Sequence, residues 1–187
     1  MNKELIWSGE HWISYLRMPG ADEHTGRLSL YHGQYSAAGP GTAAFVETPD
    51  FAALCTDNEE FARFIQRTMW GQQRSPFGYP VPIVAARFNR SGDVRRAPSW
   101  TLATADHRLT ATWAELAPPL VGPPTINPQI VFTILVFAAT ATLDCDGQPL
   151  PGVPYRREAW AQSLGSPMSS CCFALAETMV APDQTAQ

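Results

Sequence analysis

Residues Ile130–Leu143 read IVFTILVFAATATL and run into the turn Asp144-Cys145-Asp146-Gly147. Seven of these fourteen residues are β-branched (Ile130, Val131, Thr133, Ile134, Val136, Thr140 and Thr142), and Phe132 and Phe137 add aromatic bulk. Such side chains lose χ1 freedom in a helix and pack well on a pleated surface, so the stretch predicts a strand. Its first half is apolar on both faces, as in a strand whose middle is covered twice. Its second half, Ala138–Thr142, is small and threonine-rich, which leaves room for either a ligand or a neighbouring Trp or Phe. The apolar run is too short and too interrupted by threonine for a membrane span.

The remaining strands are read outward from this one. Toward the N-terminus, Glu4–Met18, Arg27–Tyr35 and Ala43–Glu47 are rich in β-formers and separated by Pro-Gly and Gly-Pro-Gly turns. Thr48-Pro49-Asp50 suggests a single helical turn over Phe51–Leu54. Thr56-Asp57-Asn58-Glu59 has the spacing of a capping box for a helix ending near Gly71, with Phe61, Phe64, Ile65 and Met69 on one face. Val81–Phe88, Val94–Ala103 and His107–Ala117 are further strands, and five prolines make Pro118–Pro128 an extended loop. Arg156–Leu164 reads as a short helix or irregular chain, and Ser170–Val180 as the last strand. The expectation is a mainly β fold with one amphipathic α-helix, an antiparallel, about eight-stranded closed or nearly closed barrel. Residues 1–187 form a single domain, with residues 1–3 and 181–187 as frayed tails.

Charge and composition exclude several functions. The formal charge is −4 and the basic residues are scattered, so no electrostatic footprint for nucleic acid exists. Twelve of the thirteen basic residues are arginine, and the lone lysine, Lys3, leaves no Schiff-base candidate in the body of the chain. The opening residues lack the apolar run of a signal peptide, which predicts a cytoplasmic location. The four cysteines form no Cys-x-x-Cys pair and are read as reduced. No phosphate-loop, dinucleotide or nucleophile-elbow motif is present, so no cofactor is expected. Asp144, Asp146 and Gly147 lack the rest of a calcium-loop ligand set and read as a turn. The four histidines have no metal-ligand spacing, so no metal is expected unless distant residues converge.

Eight antiparallel strands in a chain of this size resemble the lipocalin-like, or calycin, barrels. That family opens with Gly-x-Trp on its first strand; Gly9-Glu10-His11-Trp12 is one residue longer, so the likeness is one of architecture. The resemblance implies an interior that holds one small apolar ligand, carried or, in enzymatic branches, isomerised, cyclised or hydrated.

A few residues suit such chemistry. Glu10 and His11 are neighbours on a strand and face opposite sides, so they cannot share a cavity. His32 falls on the Leu28–Leu30 face and Tyr35 on the other. Glu115, in phase with Trp113, and Glu177, within the apolar CCFALAETMV, are carboxylates that burial would turn into general acids. Glu115, Glu177, His32 and Tyr35 are the catalytic candidates, with Trp7, Tyr31, Trp100, Trp113 and Phe132 as ligand-binding candidates. The leading expectation is a cofactor-independent enzyme acting on a small hydrophobic substrate by acid–base chemistry of isomerase, cyclase, hydratase or lyase type. The alternatives are a non-catalytic binder of such a molecule and an interaction protein whose aromatics form an intersubunit face, as in a homodimer.

Overall fold

The computed structural model describes residues 4–122, 125–126, 130–158 and 169–181. The strands are β1 (Leu5–Arg17), β2 (His24–Ser36), β3 (Gly41–Glu47), β4 (Ala52–Thr56), β5 (Ile83–Ala85), β6 (Arg87–Ser91), β7 (Ser99–Ala103) and β8 (Arg108–Leu116). They continue with β9 (Leu120–Val121), β10 (Thr125–Ile126), β11 (Ile130–Cys145), β12 (Gln148–Pro149) and β13 (Cys171–Val180), and the helix α1 spans Glu59–Trp70. Neighbours along the sheet run β5-β4-β3-β2-β1-β13-β11-β8-β7-β6, and the two-residue strands β9, β10 and β12 pair with β11 off this path. The end strands β5 and β6 are separated in sequence by Ala86 alone, whose N–H donates to Thr56 O at 2.7 Å. The sheet thus curls into a nearly closed barrel.

The mainly β class and the barrel agree with expectation; the count does not. Ten strands follow one another around the path instead of eight, and β4–β5 is a parallel pair in an otherwise antiparallel ladder. Val81–Phe88 breaks at Ala86, which makes two strands of one, and Val94–Ala103 shortens to β7 because Asp93 ties residues 95–97 into a turn. Phe51–Leu54 is no helical turn: Ala52–Thr56 pairs with both β3 and β5 as a strand. The helix cap also moves. Asn58 accepts the N–H groups of Glu60 and Phe61, while Thr56 bonds backward to Thr42 O. The two polar residues between Thr56 and the helix serve a strand end and a cap separately. Most of the Arg156–Leu164 reading and the tails, Ala181 excepted, lie outside the described residues.

The stave β11 joins the two halves. Its bulky part, Ile130–Phe137, pairs with β13, and from Ala138 onward it pairs with β8. The change from bulky to small side chains in the sequence is the point where the partner changes. The space beside the small half is filled from within the chain. Ala138, Ala141 and Leu143 pack in the inner core with Trp12, Trp100, Trp113 and Phe173, and Trp12 stacks on Phe173 at 4.3 Å. The doubly covered middle is only partly so, because Phe132 and Ile134 stay about half exposed.

A second layer lies outside the sheet. Helix α1 lays Phe61, Phe64 and Ile65 against Phe45, Leu54, Tyr31 and Trp7. Gly33 and Gly41 are cross-strand partners, and a Cβ on either would sit 2.5 or 2.8 Å from Phe61. Two glycines therefore make the flat seat on which the helix rests. Among the described residues no helix is long and apolar enough to cross a membrane.

Candidate functional site

At one end of the barrel the inner face turns polar. Glu10, His32 and Thr42 are cross-strand partners on β1, β2 and β3, and Arg90 and Trp100 are partners on β6 and β7. Curling of the sheet brings these two rows together. Arg90 Nη1 donates to Glu10 Oε1 at 2.8 Å and to Oε2 at 3.1 Å, while Trp12 Nε1 donates to Oε2 at 2.9 Å. The Arg90 guanidinium also lies 5.2 Å from the Trp12 ring. Glu10 is buried, and its charge is matched by Arg90, about one-third exposed at the rim. Such a pair holds register and orientation more than it adds stability.

His32 stands beside this pair. Its Nδ1 shares a hydrogen bond with Thr42 Oγ1 at 3.0 Å, and its Nε2 has no partner among the described residues. The ring lies 5.5 Å from that of Trp100, whose buried indole N–H also has no partner among the described residues. A buried donor left unmade costs about 1–3 kcal/mol, and Trp7 and Trp70 carry the same kind of unpartnered indole N–H among the described residues. His32 and Thr42 line an open cleft of about 770 Å³ together with Pro40, Gly41, Asp57 and Asn58. Local sequence places His32 there: a Cβ on Gly9 would meet His32 O at 2.3 Å, so only glycine lets β1 approach. Asp57 fixes the opposite lip by accepting the Thr42 N–H at 2.7 Å. With Arg90 paired to Glu10 and Glu59 paired to Arg63, Asp57 is the unbalanced charge among the cleft-lining residues, and it disfavours anions.

The other expected residues scatter. Trp113 fills the interior and donates to Ile13 O at 2.8 Å. Glu115 leaves the inner face because its backbone is left-handed (φ 52°), which breaks the alternation after Trp113 and exposes the carboxylate. Tyr35 is shifted by the irregularity that pairs Ser8 with Tyr35 but Gly9 with Gly33, and its ring is half exposed. Phe132 is exposed, and Trp7 and Tyr31 lie in the outer layer against the helix. Of the nine, His32 and Trp100 meet at the mouth.

Glu177 and Tyr31 gather instead around His11 on the outer face. Glu177 Oε1 lies 3.5 Å from His11 Nδ1, His11 Nε2 shares a hydrogen bond with Ser29 Oγ at 3.1 Å, and Tyr31 stacks on the imidazole at 4.2 Å. The order acid–histidine–serine resembles a nucleophilic relay, but Ser29 is buried and its hydroxyl also serves Tyr15 and Tyr31. Burial pushes the Tyr15 phenol up to about 12 and that of Tyr31 higher still, so both stay protonated. We read this array as a polar spine across the outer face of β1, β2 and β13.

Sequence reasoning names Glu10 and His11 but sets them aside as catalytic candidates, and it passes over Arg90. The opposite facing of Glu10 and His11 was legible, whereas the Glu10–Arg90 contact spans 80 residues and left no local signal. In comparisons with known proteins, no family model, no curated protein and no solved structure matches the chain.

Proposed function

We propose that the barrel mouth is a site for a small neutral molecule with an apolar body, and that His32 moves a proton on it. The observation that carries this reading is that His32, oriented through Nδ1 by Thr42, lines an open cleft with the Trp100 ring packed beside it. A carbonyl or hydroxyl oxygen on the ligand would accept from Trp100, and the imidazole, oriented through Nδ1 by Thr42, would take or give the proton. Isomerase, cyclase, hydratase or lyase chemistry needs no more than such a base and a donor. The barrel is compatible with a calycin-like fold, and a cytoplasmic location belongs to the same proposal. In this version the ligand sits at the mouth, because the chain's own tryptophans occupy the interior.

The second reading, binding without catalysis, is favoured by the state of Glu10. Its oxygens are committed to Arg90 and Trp12, so Glu10 is not free to act as an acid beside His32.

The test is native mass spectrometry of the purified protein, followed by incubation of any released molecule with enzyme in D2O. Proton transfer predicts a retained small molecule that gains deuterium with wild-type protein and not with His32→Gln. Retention without exchange supports the binder. A protein that carries nothing and shows no saturable uptake of the neutral probe N-phenyl-1-naphthylamine contradicts both.

A further inference from the structure

The far end of the barrel holds a set of side chains that the mouth does not use. The strands β8 and β11 pair there, with Cys145 opposite Leu109 and Asp144 opposite Thr110. Asp146 N–H donates to Arg108 O at 2.8 Å, and Arg108 N–H returns to Asp146 Oδ1 at 2.7 Å. His107 precedes β8 and is held by Thr104, whose hydroxyl accepts the His107 N–H at 2.9 Å. This frame brings His107 Nδ1 to 2.9 Å from Asp146 Oδ2 and Cys145 Sγ to 3.7 Å from the same oxygen. The three ligand atoms all lie within 4.8 Å of one another.

We propose that His107, Cys145 and Asp146 form a site for a borderline divalent cation of the zinc type. In tetrahedral zinc sites with bonds of 2.0–2.3 Å, neighbouring ligand atoms stand roughly 3.3–3.8 Å apart. The spacing here needs the His107–Asp146 hydrogen bond to open by a few tenths of an ångström and the cysteine to swing in. Both motions are open to half-buried side chains at a hairpin end. One imidazole, one thiolate and one carboxylate carry two negative charges, which a divalent cation cancels. Asp50 and Asp144 add further negative potential. Calcium and magnesium prefer oxygen ligands, so a sulfur and a nitrogen among three donors select zinc, cobalt or similar ions. Three protein ligands leave a fourth position for water or an exogenous group. The chain positions 107 and 145–146 have no motif spacing; the convergence exists only in the fold.

Cobalt(II) is the probe. Titration of the full-length protein is expected to give one equivalent of cobalt with a near-ultraviolet thiolate-to-metal band, displaced by zinc and not by millimolar magnesium. Cys145→Ser should remove the band, and His107→Gln should weaken binding at least tenfold. Zinc should also shield Cys145 from iodoacetamide in the wild-type protein, a readout that needs no variant. The other three thiols are buried and serve as the internal control. Absence of the band, equal displacement by magnesium, or zinc that leaves Cys145 alkylation unchanged would overturn the assignment.

Discussion

The His32 and Trp100 rings face each other across the barrel mouth, 5.5 Å apart and inclined by 50°, although they come from β2 and β7 on opposite runs of the sheet. Their meeting depends on curvature, and curvature depends on how the interior is filled. The predictions that follow test that filling, the charges at the rim, and the site itself.

Trp12 is the centre of the filling, in contact with Phe173, Trp113 and Trp100. Trp12→Ala leaves a cavity and removes the donor to Glu10, and it should destabilise the protein by about 3–5 kcal/mol. Trp12→Phe keeps most of the volume and should cost less. Urea denaturation followed by far-ultraviolet circular dichroism measures both, and equal costs would show that the interior is not tightly packed around this side chain.

The glycine seat makes a converse prediction. Gly33→Ala places a methyl group 2.5 Å from Phe61 and should cost about 1–3 kcal/mol through overpacking. Phe61→Leu on that background should recover part of the loss, whereas alone it should destabilise. Additive costs in the double-mutant cycle would mean that the helix does not rest where described.

How much of this was legible in the sequence follows from what is local and what is not. The β-branched run of β11, the amphipathic face of α1 and the opposite facing of Glu10 and His11 are local patterns, and all three appear as read. The switch of β11 from bulky to small residues even marks its change of partner at Ala138. Strict alternation misled at Glu115 and Tyr35, because a left-handed residue or a register irregularity moves every later side chain to a new position. Nor does periodicity say which partner fills a gap. The room beside Ala138–Thr142 called for an aromatic or a ligand, and tryptophans from β1, β7 and the adjacent β8 supplied it.

Acid sensitivity should come from His24 and Glu47. Burial, then Arg27 and Arg17, holds His24 below its ordinary value of 6.5; it accepts or donates a 2.7 Å bond to the Tyr155 hydroxyl. Burial alone would raise Glu47, but hydrogen bonds from Arg27 and Tyr79 outweigh it and hold the carboxyl below its ordinary 4.5. Both groups bind fewer protons folded than unfolded. Stability is therefore full above the unfolded values and falls with pH, first below about 6.5 through His24 and then below about 4.5 through Glu47. Urea midpoints at pH 7.5, 5.5 and 4 in wild type and His24→Gln check the sign: the variant should lose the first decline and keep the second.

The cysteines should divide one against three. Burial holds the thiols of Cys55, Cys171 and Cys172 up, that of Cys55 to about 12, and all three are inaccessible. A disulfide-exchange reagent at pH 8 should titrate Cys145 slowly in the native protein and all four thiols in urea. Rapid reaction of Cys171 or Cys172 in the native protein would mean that β13 opens on that timescale.

The central claim is that the mouth binds a neutral molecule against His32, beside the Trp100 ring. It is tested most directly by the indole N–H resonances of the six tryptophans in a 15N-labelled sample, with the Trp100 peak assigned through Trp100→Phe. Titration with a neutral aromatic ketone series should move the Trp100 peak downfield and shift the His32 ring resonances at the same concentrations, leaving Trp113 unmoved. Perturbation confined to other tryptophans, or none at millimolar ligand, would contradict the assignment of the site.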